Sequence, residues 1–329
     1  MKRREFITLF GGAAAVATSP LTALTQERVR LIGVLMAGSD GRDQPAQTRI
    51  AAFRSVLQEL GWSENRNVRF EIRWAGGDVG RTRAFAAELA AMAPDVILAG
   101  GTTAIAMLKQ ATSSVPLVFV VVNDPVAQGF VASIAHPGGN ITGFSYIDYS
   151  VIGKALQLLK QVAPNLSRVG FMFNPDAYPY YETYLKSLGE ERQGFDLVPL
   201  RVHSDDEIKR AFASLAATPG AGIMAPPEPF TSSRRKLIVD LAAEYRLPGS
   251  YGLRDYVTDG GMMCYAPNIL EIYQRSAAYV DRVLKGAKPA DLPVQAPSRF
   301  ELTINLKVAK ALGLDIPPGV LAIADEVLE

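Results

Sequence analysis

Two kinds of apolar pattern alternate along the chain, and they do so twice. Arg30–Met36 is a short apolar run with polar residues on either side, the mark of a buried strand. Residues 48–60 then place Ile50, Phe53, Val56, Leu57 and Leu60 at helical spacing, and Gly61 stops them. A second strand is predicted over Val68–Trp74, a helix over 83–91 and a third strand over 95–99. A helix over 103–111 follows, and a fourth strand runs from Leu117 to Val122 after Pro116. The same series returns from Arg168. Arg168–Phe173 reads as a strand, and 180–193 as a helix carrying Tyr181, Tyr184, Leu185 and Leu188, stopped by Gly194. Strand 196–202, helix 210–217, strand 222–225, helix 233–245 and a strand after Pro248 complete it. Segments 83–91 and 210–217 match almost residue by residue.

Strands alternating with helices at this spacing form right-handed βαβ units on a parallel sheet. The pattern therefore predicts an α/β protein of two doubly wound parallel-sheet lobes, the first over 28–144 and the second over 145–265. Beyond 265, a helix over 269–285 has Ile272, Ala277, Tyr279, Val280, Val283 and Leu284 on its apolar face and ends at Gly286. Pro289, Pro293 and Pro297 mark an extended connection. A strand over 300–306 and a helix over 306–312, stopped by Gly313, follow. These pieces are too few to bury a core of their own. Residues 266–290 are assigned to lobe one and 300–329 to lobe two, so the chain crosses between lobes near 144, 265 and 295.

Composition narrows the chemistry. The 329 residues carry 34 Lys+Arg against 33 Asp+Glu, a net charge of +1 that argues against a broad basic face for nucleic acid. Cys264 is the only cysteine, so no intrachain disulfide can form. With His136 and His203 as the only histidines, a His-rich zinc site is not expected, nor is a resident cofactor.

The N-terminus reads as an address. Arg3-Arg4-Glu5-Phe6 precedes an uncharged Gly/Ala-rich stretch over 7–17, too short to span a bilayer, which needs about 20 apolar residues. Pro20 breaks it, and Ala23-Leu24-Thr25 offers a cleavage site. Residues 1–25 are thus read as an export signal of the twin-arginine type. The alternative is an amphipathic helix, but no polar face repeats along the stretch. No cysteine near the cleavage site could take a lipid, so a periplasmic protein without a lipid anchor is expected.

Ligands of open parallel sheets bind beyond the carboxyl ends of the strands, where helix N-termini present free N–H groups. After the first strand, Ala37-Gly38-Ser39-Asp40-Gly41 offers Ser39 and Asp40. It is no dinucleotide fingerprint, since no helix opens directly from it. After the third, Gly101-Thr102-Thr103 opens a helix and suits a carboxylate, although either threonine could simply cap that helix. After the fourth, Asp124 could accept an ammonium group or could form a turn before Pro125. Ser145 stands at the first crossing. In lobe two the corresponding positions are Asn174, Tyr178, Pro227 and Glu228, with Tyr251, Cys264 and Tyr265 ending strands near the second crossing. Core packing for the tyrosines and a solvated charge for Glu228 are the competing readings. Cys264 has no base or cysteine partner in register and reads as a pocket wall rather than a nucleophile.

Several stretches carry a resemblance. Leu57-Gln58-Glu59-Leu60-Gly61-Trp62, Asn123-Asp124-Pro125-Val126, the run from His136 to Gly143, and the segments 279–293 and 300–307 resemble the solute-binding proteins of bacterial ABC importers. The family concerned includes tryptophan- and tyrosine-binding members. The resemblance implies a type I periplasmic binding fold, two lobes closing on a ligand, and an inner-membrane permease as partner of a monomeric protein. It carries ligand contacts onto Gly101-Thr102-Thr103, Asp124, Ser145, Asn174, Pro227-Glu228 and Tyr265. The chain departs from its relatives at 262–267, where Cys264 stands for a serine and Ala266 for a glycine.

Three function classes compete. One is a periplasmic binding protein for a small, amino-acid-like solute, aromatic ones included, held in the interlobe cleft by hinge closure. Another is an exported sensing subunit of a signalling system. The third is a hydrolase on the same fold, which lacks a G-x-S-x-G elbow, a His near a nucleophile and clustered metal ligands. A binding protein, not an enzyme, is the expectation.

Overall fold

The structure is a computed structural model that describes residues 28–147, 149–188 and 194–329; the export signal read over 1–25 lies outside them. The first lobe is built from β1 (Arg30–Met36), α1 (Gln44–Glu59), β2 (Val68–Trp74), α2 (Val79–Ala91), β3 (Val96–Gly100), α3 (Thr102–Ala111), β4 (Leu117–Val122) and β5 (Ile141–Ser145). The chain then enters α4 (Tyr149–Val162), β6 (Arg168–Phe173), α5 (Tyr180–Leu188), β7 (Asp196–Arg201), α6 (Asp205–Ala216) and β8 (Ala221–Ala225). Next come α7 (Pro229–Ser233), α8 (Arg235–Glu244), β9 (Gly249–Tyr251), α9 (Arg254–Thr258) and β10 (Met263–Ala266). The tail supplies α10 (Ile269–Leu284), β11 (Glu301–Asn305), α11 (Leu306–Leu312), α12 (Pro318–Leu321) and β12 (Glu326–Leu328).

Five parallel strands in the order β2-β1-β3-β4-β5 make one sheet. In the second sheet, β7-β6-β8-β9-β10 repeats that order, and β11 and β12 extend its edge. The doubling read in the sequence is thus a doubling of topology. One detail differs from all-parallel lobes: β11 runs antiparallel to β10, because the chain reaches it from lobe one rather than by a βαβ turn.

Sheet one is buried on both faces, as a sheet covered by crossover helices must be. Val34 and Met36 of β1, Leu98 of β3 and Val118 and Val120 of β4 join one core with Ile50, Phe53 and Leu57 of α1. Their neighbours Leu35, Ile97, Ala99 and Phe119 point the other way, into a core with Ala86 and Leu89 of α2 and Ile105 and Leu108 of α3. This alternation is the period of two along each strand.

α10 packs along α1 and over β3, β4 and β5. The indole N–H of Trp62, just past α1, donates to Asp281 of α10 at 2.8 Å, and Phe144 meets Tyr279 edge-on with centroids 4.8 Å apart. The chain therefore passes between lobes after β5, after β10 and again between Gln295, whose N–H donates to Gly143 O, and β11. Element ends moved where capping decided them. α1 begins four residues before its apolar periodicity, because Asp43 caps it and Pro45 suits its first turn. The helix expected over 233–245 starts at Arg235, and Arg234 (φ −113°, ψ 15°) separates it from a short α7 that the spacing did not predict.

Candidate functional site

The loops that leave the carboxyl ends of β1, β3 and β4 face those leaving β6 and β8, at the points where each strand order reverses. Contact is close. A Cβ built on Gly38 would lie 3.4 Å from Pro229 Cα, and one on Gly77 (φ +78°) would lie 2.9 Å from Pro229 O. Glycine here lets the backbone of lobe one reach the start of α7 in lobe two.

Between the rims lies a cavity of about 80 Å³. Met36, Val121, Leu253, Ile269 and Tyr273 give it apolar walls, while Asp43, Arg49, Glu228, Arg235 and Asp255 give it charge. Val121 reaches it because β4 slips register against β5 between Val120 and Val122, with Val121 at φ +58°. A left-handed β-branched residue is strained, and a bulge that re-aims a side chain is characteristic of sites.

Two ionic links cross the cleft among the residues that line this cavity. Arg49 of α1 pairs with Asp255 of α9, and Asp43 at the start of α1 pairs with Arg235 of α8, whose Nε also lies 2.7 Å from Asp259. Other links across the cleft are neutral. Thr103 Oγ1 donates to Ala177 O at 3.1 Å, Gln128 Nε2 to Tyr178 OH at 2.8 Å, and Asn123 Nδ2 to Tyr181 OH and Pro227 O at 3.3 and 3.4 Å. The lobes are closed on each other.

Each residue nominated by sequence has a definite place. Ser39, Gly101, Pro227 and Glu228 line the cavity. Thr102, Thr103 and Tyr178 line a flanking cavity of about 470 Å³ between α3 and the loop after β6. Gly101 (φ +98°) is the N-cap of α3 and neither threonine caps it, so the capping alternative for Thr102 and Thr103 falls away. Asn174 is buried at the rim, where its Oδ1 accepts from the N–H groups of Asp176 and Ala177.

The carboxylate of Glu228 is buried, not solvated. It accepts from the N–H groups of Phe230 and Thr231 at 2.7 and 2.8 Å, capping α7, and burial pushes its pKa up to about 6 against those hydrogen bonds. Asp40 turns outward and accepts from Arg42 N–H.

Other nominated residues stand away from the central cavity. Asp124 sits at φ +40° with Oδ1 accepting from Ala127 N–H, so the Asx-turn alternative describes it, and its neighbour Asn123 is the side chain that crosses the cleft. Ser145 Oγ bonds to Gln295 O at the crossings. Tyr251 is buried inside lobe two, stacked on Tyr256 with centroids 4.8 Å apart. Tyr265 stacks on Phe300 at 5.8 Å, pointing away because strand neighbours face opposite sides. Cys264 lines an outer cavity of about 790 Å³ beside α9 and β11, and burial pushes its thiol pKa well up.

Sequence reasoning missed Asn123, Gln128 and Tyr181, and also the four residues of the ionic links. Asn123 and Tyr181 lay one and three residues from nominated ones. The ionic links had no local signal, their partners being 192 and 206 residues apart.

Comparison with known proteins agrees with this geometry. A family model described as ABC transporter substrate binding protein matches residues 43–328. A tyrosine-binding protein of Clostridioides difficile (strain R20291) is 25% identical over 264 residues, covering 80% of this chain and 75% of that protein. The structure of a conserved domain protein from Vibrio cholerae superposes with a TM-score of 0.81 at 25% identity, covering 91% of this chain and 99% of the other. An ABC domain from Streptococcus pneumoniae in complex with L-Trp gives 0.81 at 23% identity, covering 92% and 100%.

Proposed function

The chain belongs to the ABC transporter substrate-binding protein family, and from that premise we propose that it is the exported, periplasmic, monomeric solute receptor of an importer. It closes its lobes around a small amino-acid-like ligand and presents it to an inner-membrane permease. The observation that carries this reading is the cavity itself. It lies between two sheets at their switch points, with apolar walls suited to a side chain and charged groups suited to an ammonium and a carboxylate. A tyrosine-binding relative and a fold neighbour in complex with L-Trp lend support to an amino acid.

Closure follows population-shift logic: a ligand touching both rims stabilises the state in which the rims meet. Loops of lobe one contribute Ser39 and Gly101 to the rim, those of lobe two Pro227 and Glu228, and the ionic and neutral links complete the seal. Because those links shut the cleft, entry requires the lobes to part. Mass spectrometry of small molecules released on denaturing protein purified from its native periplasm identifies the ligand. We expect an amino acid or a close analogue; recovery of a sugar would refute the ligand class, and recovery of nothing, together with no heat in titrations of amino acids and sugars, would refute the binding role.

A further inference from the structure

Charge in the cavity wall is unequal. Asp43, Asp255 and Glu228 line it together with two guanidiniums, Arg49 and Arg235, and Asp259 reaches Arg235 from outside the lining. Among the described residues no lysine lines the cavity, and Arg254, next in the chain to Asp255, pairs outward with Glu326. Both cationic groups are already engaged: Arg49 by Asp255, and Arg235 by Asp43 and Asp259 together. No guanidinium therefore lacks a carboxylate, while the carboxylates outnumber their cations. An excess of negative charge in a poorly solvated wall favours a cation.

Resting on the binding-protein reading, we propose that this cavity selects its ligand by charge. It takes a solute bearing an ammonium group and no net negative charge and turns away acidic amino acids and dicarboxylates, with Asp255 as the discriminating residue because it occupies Arg49. Repulsion of the wrong ligand is as much a part of specificity as attraction of the right one.

The test is calorimetric titration of the purified protein, freed of bound solute, with L-leucine, L-tyrosine, L-tryptophan, L-lysine, L-glutamate, glutarate and the sugar D-arabinose. L-glutamate and glutarate should bind at least about 100-fold more weakly than the best of the uncharged or cationic amino acids, since an unmatched like charge beside a buried carboxylate is costly. Either acid binding within about tenfold of the best ligand overturns the inference while leaving the binding role intact; no binding by any amino acid, dicarboxylate or sugar overturns both. Asp255→Asn supplies the independent arm. With Arg49 released, the ratio of glutamate to leucine affinity should rise at least about tenfold, and an unchanged ratio in the folded variant overturns the role of Asp255. Should that variant not fold, the native panel still decides.

Discussion

Gly77 shows how a single atom can govern closure. A Cβ there would meet Ser233 Oγ at 2.4 Å and Pro229 O at 2.9 Å, both across the cleft. Gly77→Ala should therefore hold the lobes apart and weaken ligand affinity by at least about tenfold, at a stability cost of about 1 kcal/mol for its positive φ. Titration calorimetry and thermal unfolding separate the two effects; unchanged affinity would place the ligand elsewhere. Glu228 makes a second, pH-dependent case. Its folded pKa of about 6 lies above the ordinary carboxyl value of 4.5, so folding favours the protonated form. The native chain should then lose about 2 kcal/mol relative to Glu228→Gln as pH rises from 4 to 7, the loss falling between about 4.5 and 6. Unfolding of both proteins across that range checks the sign. Cys264 is 1% exposed with its thiol pKa raised by burial, so a thiol reagent should label it only on unfolding.

Helix ends set the next scale. α6 carries Asp205, Asp206 and Glu207 in its first turn, and the hydroxyl of Ser204 accepts from Glu207 N–H at 3.2 Å. Ser204→Ala should cost about 1 kcal/mol of stability in denaturant unfolding without altering ligand affinity, because α6 lies away from the central cavity. Asp43 performs the same office for α1 and more besides. One oxygen accepts from Ala46 N–H while the other pairs with Arg235 of the opposite lobe. A cap that is also an interlobe link couples the start of a helix to closure, so Asp43→Ala should lower both stability and affinity where Ser204→Ala lowers one.

At the scale of the whole molecule, two lobes are held shut by a polar seam. Arg49 and Asp255 are each mostly buried, and breaking such a pair leaves the survivor unmatched, at a cost of about 3 kcal/mol. That cost falls on the closed state, since in an open one both groups are hydrated. Arg49→Gln should accordingly enlarge the ligand-free radius of gyration in small-angle scattering, and saturating ligand should shrink it again. A native-sized radius in the variant would show that this pair does not hold the lobes.

Local pattern determined a good deal of this protein. Apolar runs and helical spacing are properties of neighbouring residues, so the strands, the doubled βαβ order and the loops that meet at the cleft could be read from Arg30, Arg168 and the glycines that stop helices. The strand order that both sheets share came from the tertiary structure. Tertiary structure alone decided which side chains on those loops face inward. Asp124 and Tyr265 do not line the central cavity, because a positive φ and the alternation of a strand fix the direction of their side chains. It alone also joined Asp43 to Arg235 and Arg49 to Asp255: a charge on a helix looks the same in sequence whether it faces water or a partner 206 residues away.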